Sequence, residues 1–237
     1  MLTMRLRQIA RFVAAVLLTA CGLLSAPIPM ASAQCPDVEA VFARGTGEPP
    51  GVGGIGGPFV DSLRSAVGAR SLDVYPVNYE ASSDFSDRIQ FAQSVVDGIK
   101  DAGGHIESTA ANCPKTRIVL GGYSQGAAVA GFVTSASIPA GIPADYVAFL
   151  PKPMPPEIAN HVAAVTLFGT PSAQWLQNYG APAITIGPLY VPKTLELCAA
   201  GDTICNGDPG GTPSFAHAEY PVNGMTAQAA DFAASHL

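Results

Sequence analysis

Arg117-Ile118-Val119-Leu120-Gly121-Gly122-Tyr123-Ser124-Gln125-Gly126-Ala127-Ala128-Val129-Ala130 runs from a β-branched apolar stretch, through a serine set between glycines, into a string of small residues. The apolar stretch reads as a strand and the small residues as a buried helix, predicted over Ser124–Ser135. Gly122-Tyr123-Ser124-Gln125-Gly126 fits G-x-S-x-G. The pattern alone is weak in a glycine-rich chain, but between a strand and a helix it has the setting that a nucleophile elbow requires. Such a turn is sharp and strains the backbone at its serine. Side chains at Gly122 and Gly126 would collide with neighbouring elements. Ala127, Ala128 and Ala130 would let the helix lie close on the sheet.

Working outward, apolar runs alternate with helical patterns. Strands are predicted at Val38–Ala43, Leu72–Tyr79, Arg117–Leu120, Val162–Phe168 and Thr194–Leu197. Helices are predicted at Pro58–Val67, with proline in the first turn, at Asp84–Lys100 and at Met225–Ala234. The Asp84–Lys100 reading rests on a stripe of Phe85, Ile89, Val95, Val96 and Ile99. Gly51–Gly57 and Pro139–Pro156 read as surface loops. Strands that are apolar throughout, alternating with helices, imply an α/β fold with a mainly parallel sheet covered on both faces. No internal repeat and no linker divides the chain.

The chain has 237 residues, 48% hydrophobic and 13% charged, enough for one sizeable core and too apolar for a disordered segment. Residues 1–33 read as a signal peptide. Arg5, Arg7 and Arg11 start it, an apolar run spans Phe12–Leu24, and Ala31-Ser32-Ala33 offers a cleavage site. The run is shorter than a membrane span needs. Leu18-Thr19-Ala20-Cys21 also resembles a lipobox, in which Cys21 would carry a lipid. Residues 34–237 are then a single domain. Losing the leader removes three of the 12 basic residues and none of the 18 acidic ones, so nine remain against 18, a net charge of −9. Such a chain has no electrostatic reason to bind nucleic acid.

The mature cysteines are Cys35, Cys113, Cys198 and Cys205. Four cysteines allow three pairings. The simplest closes a short loop between Cys198 and Cys205 and leaves Cys35 for Cys113. Without Cys-x-x-Cys pairs or nearby histidines, no zinc site is expected.

A serine hydroxyl needs a base to become a nucleophile. On a serine–acid–histidine order, His105 precedes Ser124, His236 is penultimate, and His161 reads as a surface residue. His217 lies in the late loop-like stretch Pro213–Pro221 and is the expected base. Asp145, Glu157, Glu196, Asp202 and Asp208 lie between serine and base. Asp202 is preferred because it lies inside the Cys198–Cys205 loop, with Asp208 the alternative.

Four separated stretches, Ala43-Arg44-Gly45-Thr46-Gly47-Glu48, Gly121 to Ala127, Cys198-Ala199-Ala200-Gly201-Asp202-Thr203-Ile204-Cys205 and His217-Ala218-Glu219-Tyr220, together resemble the cutinase family. The likeness is greatest to the secreted cutinase-like serine esterases of actinobacteria, and covers nearly the whole mature chain. It implies a three-layer α/β/α hydrolase fold around a five-stranded, mainly parallel sheet. It also implies a triad of Ser124, Asp202 and His217, disulfides Cys35–Cys113 and Cys198–Cys205, and an oxyanion hole from the Gln125 N–H and a donor at Thr46. Many fungal cutinases carry serine where Thr46 stands. They also carry apolar loops beside the histidine, whereas Asn206–Ser214 here is rich in glycine and proline.

The expected activity is hydrolysis of carboxylic esters with short-to-medium acyl chains in lipid-like substrates, by a monomer that needs no metal or cofactor. The enzyme would be secreted, either free or held at the cell envelope. Polysaccharide deacetylation of the acetylxylan esterase type, acyl transfer to an alcohol, and a surface antigen with a vestigial site are the competing readings. Mass spectrometry of the exported protein tests the leader. A first residue near Gln34 is expected, and a lipidated N-terminal Cys21 would overturn the cleavage site.

Overall fold

Alternation along the strands decides how the layers stack. In β1 (Val38–Ala43), Val38, Ala40 and Phe42 join one apolar cluster while Val41 and Ala43 join another on the opposite face. In this computed structural model, residues 35–208 and 212–237 are described. The leader and the lipobox cysteine read from the sequence lie outside them. Besides β1, the strands are β2 (Leu72–Pro76), β3 (Arg117–Tyr123), β4 (Val162–Phe168) and β5 (Thr194–Leu197). They pair in the order β2-β1-β3-β4-β5, all parallel. Every residue of β4 is buried, as befits a strand covered on both faces.

The α-helices among the described residues are α1 (Gly53–Val67), α2 (Arg88–Asn112), α3 (Gln125–Val133), α4 (Ala144–Val147), α5 (Ala173–Asn178) and α6 (Met225–Ala234). On one face, Ile55, Phe59 and Leu63 of α1 and Ala229, Ala230 and Ala233 of α6 pack with Phe42 and Phe168. Phe59 has its ring centroid 5.7 Å from each of those two rings. On the other face, Ala102 and Ile106 of α2 and Ala127, Val129 and Ala130 of α3 cover Val41, Ile118 and Leu120. This is the three-layer α/β/α arrangement. The chain leaves β1 first toward β2 and then returns to its other side as β3. The crevice beyond the ends of β1 and β3 is therefore where a parallel sheet of this kind opens for a ligand.

Several boundaries differ from the sequence reading, and glycine explains the first. α1 begins at Gly53, so most of the predicted Gly51–Gly57 loop is helix and Pro58 lies inside it. The Glu48 carboxylate caps this start, accepting from the Gly54 N–H at 2.7 Å. Gly57 has no Cβ to clash with the Pro58 ring. Gly56 is there for contact, since a Cβ on it would sit 2.7 Å from the Phe42 ring. The helix expected at Asp84–Lys100 runs instead from Arg88, capped by the Asp87 side chain, to Asn112. Within it Gly98 allows close packing, because a Cβ there would meet Val129 at 3.0 Å. The second strand also stops earlier than read, at Pro76. Pro139–Pro156 is largely exposed, as read, but contains α4.

Cys35 is bonded to Cys113 and Cys198 to Cys205. The first bond ties the start of the described chain to the end of α2 across 78 residues. Replacing Cys35 and Cys113 together with alanine is expected to lower the unfolding free energy by about 4 kcal/mol on the chain-entropy account. Urea unfolding of the oxidised protein and the double variant measures this. A loss below about 1 kcal/mol would show that this loop restrains the unfolded chain little.

Candidate active site

Ser124 joins β3 to α3 with φ 54° and ψ −115°, in a region that side chains rarely occupy. Its N–H donates to the Phe168 carbonyl at 2.9 Å, which holds the turn against β4. The flanking glycines are obligatory. A Cβ on Gly122 would lie 2.1 Å from the Gly126 carbonyl oxygen, and one on Gly126 would lie 2.0 Å from that of Ala43. α3 starts at Gln125, so the first amides of the helix have no partner within it and its positive end faces the serine.

His217 stands on a 3₁₀ turn, Phe215–Ala218, after β5, and is 7% exposed. Its Nε2 lies 2.9 Å from Ser124 Oγ, and its Nδ1 lies 2.9 and 2.8 Å from the two oxygens of Asp202. Asp202 is fully buried and sits inside the Cys198–Cys205 loop. Burial works against its charge. Hydrogen bonds from His217, from the Tyr220 hydroxyl and from the Ile204 N–H outweigh that and lower its pKa below the usual carboxylate value. Burial, and then the Asp202 charge, push the Tyr220 phenol well above its ordinary range, so it remains a donor. An imidazole placed between a hydroxyl and a buried carboxylate can take a proton from the first while the second holds its orientation.

Tyr220 and Tyr123 received no role from the sequence, although both stand in quoted motifs. Tyr220 is fully buried, donates to Asp202 Oδ2, and accepts from the Ala199 N–H at 3.3 Å. It stands two residues beyond the turn that carries His217, and no local pattern in the sequence marks it. Tyr123 donates to the His217 carbonyl at 2.7 Å, and its ring lies 5.0 Å from the imidazole. Gly169, at φ 59°, leaves the room both need, since a Cβ would sit 2.9 Å from both His217 Cε1 and Tyr220 Oη.

The loop after β1 forms the opposite wall. Arg44 is buried, and its guanidinium donates to the carbonyls of Glu48, Val77, Tyr79 and Glu80 while lying over the Tyr79 ring. Glu48 accepts from the Gly45 N–H at 2.6 Å as well as from Gly54, and the Gly47 N–H donates to Ala81 at 2.7 Å. Thr46, within this braced loop, lines the same cavity as Ser124, Gln125 and His217. That cavity measures about 970 Å³ and is mostly apolar.

The remaining candidates stand elsewhere. Asp208 is exposed, and its N–H bonds the Asn206 side chain. His105 pairs with Glu39 at 2.9 Å and stacks on Tyr75. His236 bonds the Phe232 carbonyl. Asp145 lies in α4 and Glu196 in β5. Glu157 lies in the 3₁₀ turn Pro156–Asn160, which His161 ends. Cys198, Asp202 and Cys205 lie within 4.8 Å of one another, but the two sulfurs are bonded together and so offer no thiolate to a metal.

A parallel sheet with helices on both faces and a serine on a strained strand-to-helix turn beside a histidine defines an α/β-hydrolase. The chain belongs to the cutinase family, whose pattern matches residues 34–237. It is 64% identical over 173 residues to the probable carboxylesterase Culp7 of Mycobacterium tuberculosis, covering 73% of this chain and 89% of the relative. It is 46% identical to the carboxylesterase Culp1 of the same species over 98% of this chain and 97% of the relative. Among solved structures, a Trichoderma reesei cutinase in complex with a phosphonate inhibitor is 31% identical, with a TM-score of 0.59, over 85% of this chain and 76% of the other. The protein is a carboxylic ester hydrolase.

Tyr220→Phe tests the buried phenol. Losing a hydrogen bond to a buried carboxylate is expected to cost about 2 kcal/mol at neutral pH. The folded-state pKa of Asp202 is depressed, so its contribution is complete above the unfolded value and fades as pH falls through the folded one. The gap between wild type and variant should therefore narrow in acid. Urea unfolding at neutral and acidic pH measures it, and a gap that does not change with pH would disconnect Tyr220 from the Asp202 charge.

Proposed function

We propose that the protein is a secreted serine esterase acting on carboxylic esters with short-to-medium acyl chains. Ser124 is the nucleophile, His217 the base and Asp202 the group that orients it. The carrying observation is the continuous contact from Ser124 Oγ to His217 Nε2 at 2.9 Å and from Nδ1 to Asp202 at 2.8 and 2.9 Å, at the wall of an apolar cavity. Asp202 accepts a hydrogen bond from the Nδ1–H, which keeps the proton on Nδ1 and leaves Nε2 free for the serine.

Ser124 attacks the ester carbonyl as its proton passes to His217. The oxyanion draws on the Gln125 N–H, at the positive end of α3, and on a donor from Thr46. When the intermediate collapses, the alcohol leaves with the proton from His217 and the acyl group stays on Ser124. Water then gives a proton to the same imidazole and attacks the acyl-enzyme, releasing the acid and restoring the serine. Residues 1–33 serve as the export leader for the domain 34–237. The two disulfides support this, because such bonds persist in oxidising compartments. Among the described residues no helix is long and apolar enough to cross a membrane.

Ser124→Ala is expected to lower turnover of a soluble ester by about 10⁶, and Asp202→Asn by about 10⁴ through the wrong imidazole tautomer. Asp208→Asn should change turnover by less than about twofold, because a solvated surface substitution disturbs little. Steady-state kinetics on one ester measures all three. Collapse of the Asp208 variant with an active Asp202 variant would reassign the acid, and an active, folded Ser124→Ala would remove the nucleophile.

A further inference from the structure

Among the described residues, two that are not glycine hold a positive φ, Ser124 at 54° and Ala81 at 54°. The first is the strained turn that carries the hydroxyl. The second lies in the segment between β2 and α2. A side chain in that region of backbone space is strained, and such strain persists where the surroundings over-determine it. The surroundings of Ala81 are buried and specific. Its methyl joins the cluster of Val77, Tyr79, Ala127 and Val129. The Glu80 carbonyl accepts from the Arg44 guanidinium at 3.1 Å, and the Ala81 carbonyl accepts from the Gly47 N–H at 2.7 Å. Both donors belong to the loop that carries Thr46. In an extended chain successive carbonyls point to opposite sides, so two in a row do not meet one loop. The positive φ between them turns both to the same side.

One residue further on, the Ser82 carbonyl accepts from Gln125 Nε2 at 3.1 Å, and the Ser82 N–H donates to Ser94 Oγ, buried in α2, at 3.1 Å. Consecutive carbonyls of one dipeptide therefore hold the Thr46 loop and the Gln125 side chain. The Gln125 amide is engaged at one end only, since its buried Oε1 meets no partner among the described residues. Within the esterase reading above, we infer that Ala81-Ser82 is a positioning bracket, which fixes the spacing between the Gln125 N–H and the donor at Thr46 before the ester arrives. Donors held in place need no reorganisation when charge develops on the substrate oxygen. Glycine at position 81 would take the same φ without strain, but it would leave both carbonyls freer to turn. Alanine, with its methyl seated in the core, restricts them.

The test uses Ala81→Gly and Gln125→Met. The first removes the strain and the anchoring methyl. The second keeps the backbone N–H and the side-chain length, and removes the donor to Ser82. Three quantities are measured for each, namely kcat and KM on p-nitrophenyl butyrate, the affinity for an alkyl boronic acid that forms a tetrahedral adduct on Ser124, and the urea midpoint. A loosened oxyanion hole lowers kcat and leaves KM alone, because its donors act on the transition state. The expected losses in kcat are about 10-fold for Ala81→Gly and about 10- to 100-fold for Gln125→Met, below or near the effect of losing one such donor outright. KM should stay within about twofold and boronate affinity should weaken by the same factor as kcat. The urea midpoints should stay near that of the wild type. Folded variants with unchanged kcat overturn the bracket. So does a loss of turnover that follows a fallen urea midpoint while boronate affinity holds, because that is a structural effect. A wild type inactive on the butyrate overturns the esterase reading itself, and the bracket with it.

Discussion

The turn at Ser124 leaves no space for a Cβ on either side. Gly122 and Gly126 lie so near the backbone of Gly126 and Ala43 that β1, β3 and the start of α3 are held in contact through main-chain atoms alone. Strain at the serine, of order 1–3 kcal/mol, persists because the sheet over-determines it. Phe168 of β4 takes the serine N–H from one side and the buried small residues of α3 press from the other. With that turn in place, the loops that follow β1, β4 and β5 all end beside one hydroxyl.

Around this point two buried charges, Arg44 and Asp202, are held by hydrogen bonds on several sides. Among the described residues Arg44 has no carboxylate in salt-bridge contact, yet four carbonyls and an aromatic face surround its charge, so the loop bearing Thr46 is tied to the strand-end segment at Val77–Glu80. Asp202 is surrounded in the same manner by a ring N–H, a phenol and a backbone amide. Networks of this kind add little net stability, since desolvation offsets most of the attraction. Their value is positional, because each group can satisfy its hydrogen bonds in one arrangement only.

The sheet was legible because its strands are short apolar runs between clear breaks. Val38–Ala43, Val162–Phe168 and Thr194–Leu197 fall where the pattern put them. The helices were less legible, because glycine has two uses. It breaks helices on its own account and admits close neighbours within them, and Gly56 does the second, which a single sequence cannot distinguish from the first. Ser124 and His217 could be read from chain order and local pattern. The preference for Asp202 over Asp208 came from the cysteine loop, and the structure brings Asp202 to the imidazole. Tyr220, Arg44 and the cavity along α2 depend on contacts 18 or more positions apart in the chain, and no local pattern encodes those.

The position of these groups along the chain has a further consequence. Ser124 and its turn stand near the middle of the sequence, whereas Asp202, His217, Tyr220 and the α6 layer all come from the last forty or so residues. A polypeptide grows from its N-terminus, so the serine exists through much of synthesis without a base beside it. Esterolytic power on the proposed mechanism arrives only with the final segment, after the sheet it docks against is complete. The nascent chain therefore presents no working hydrolase to the lipids of the cell that makes it.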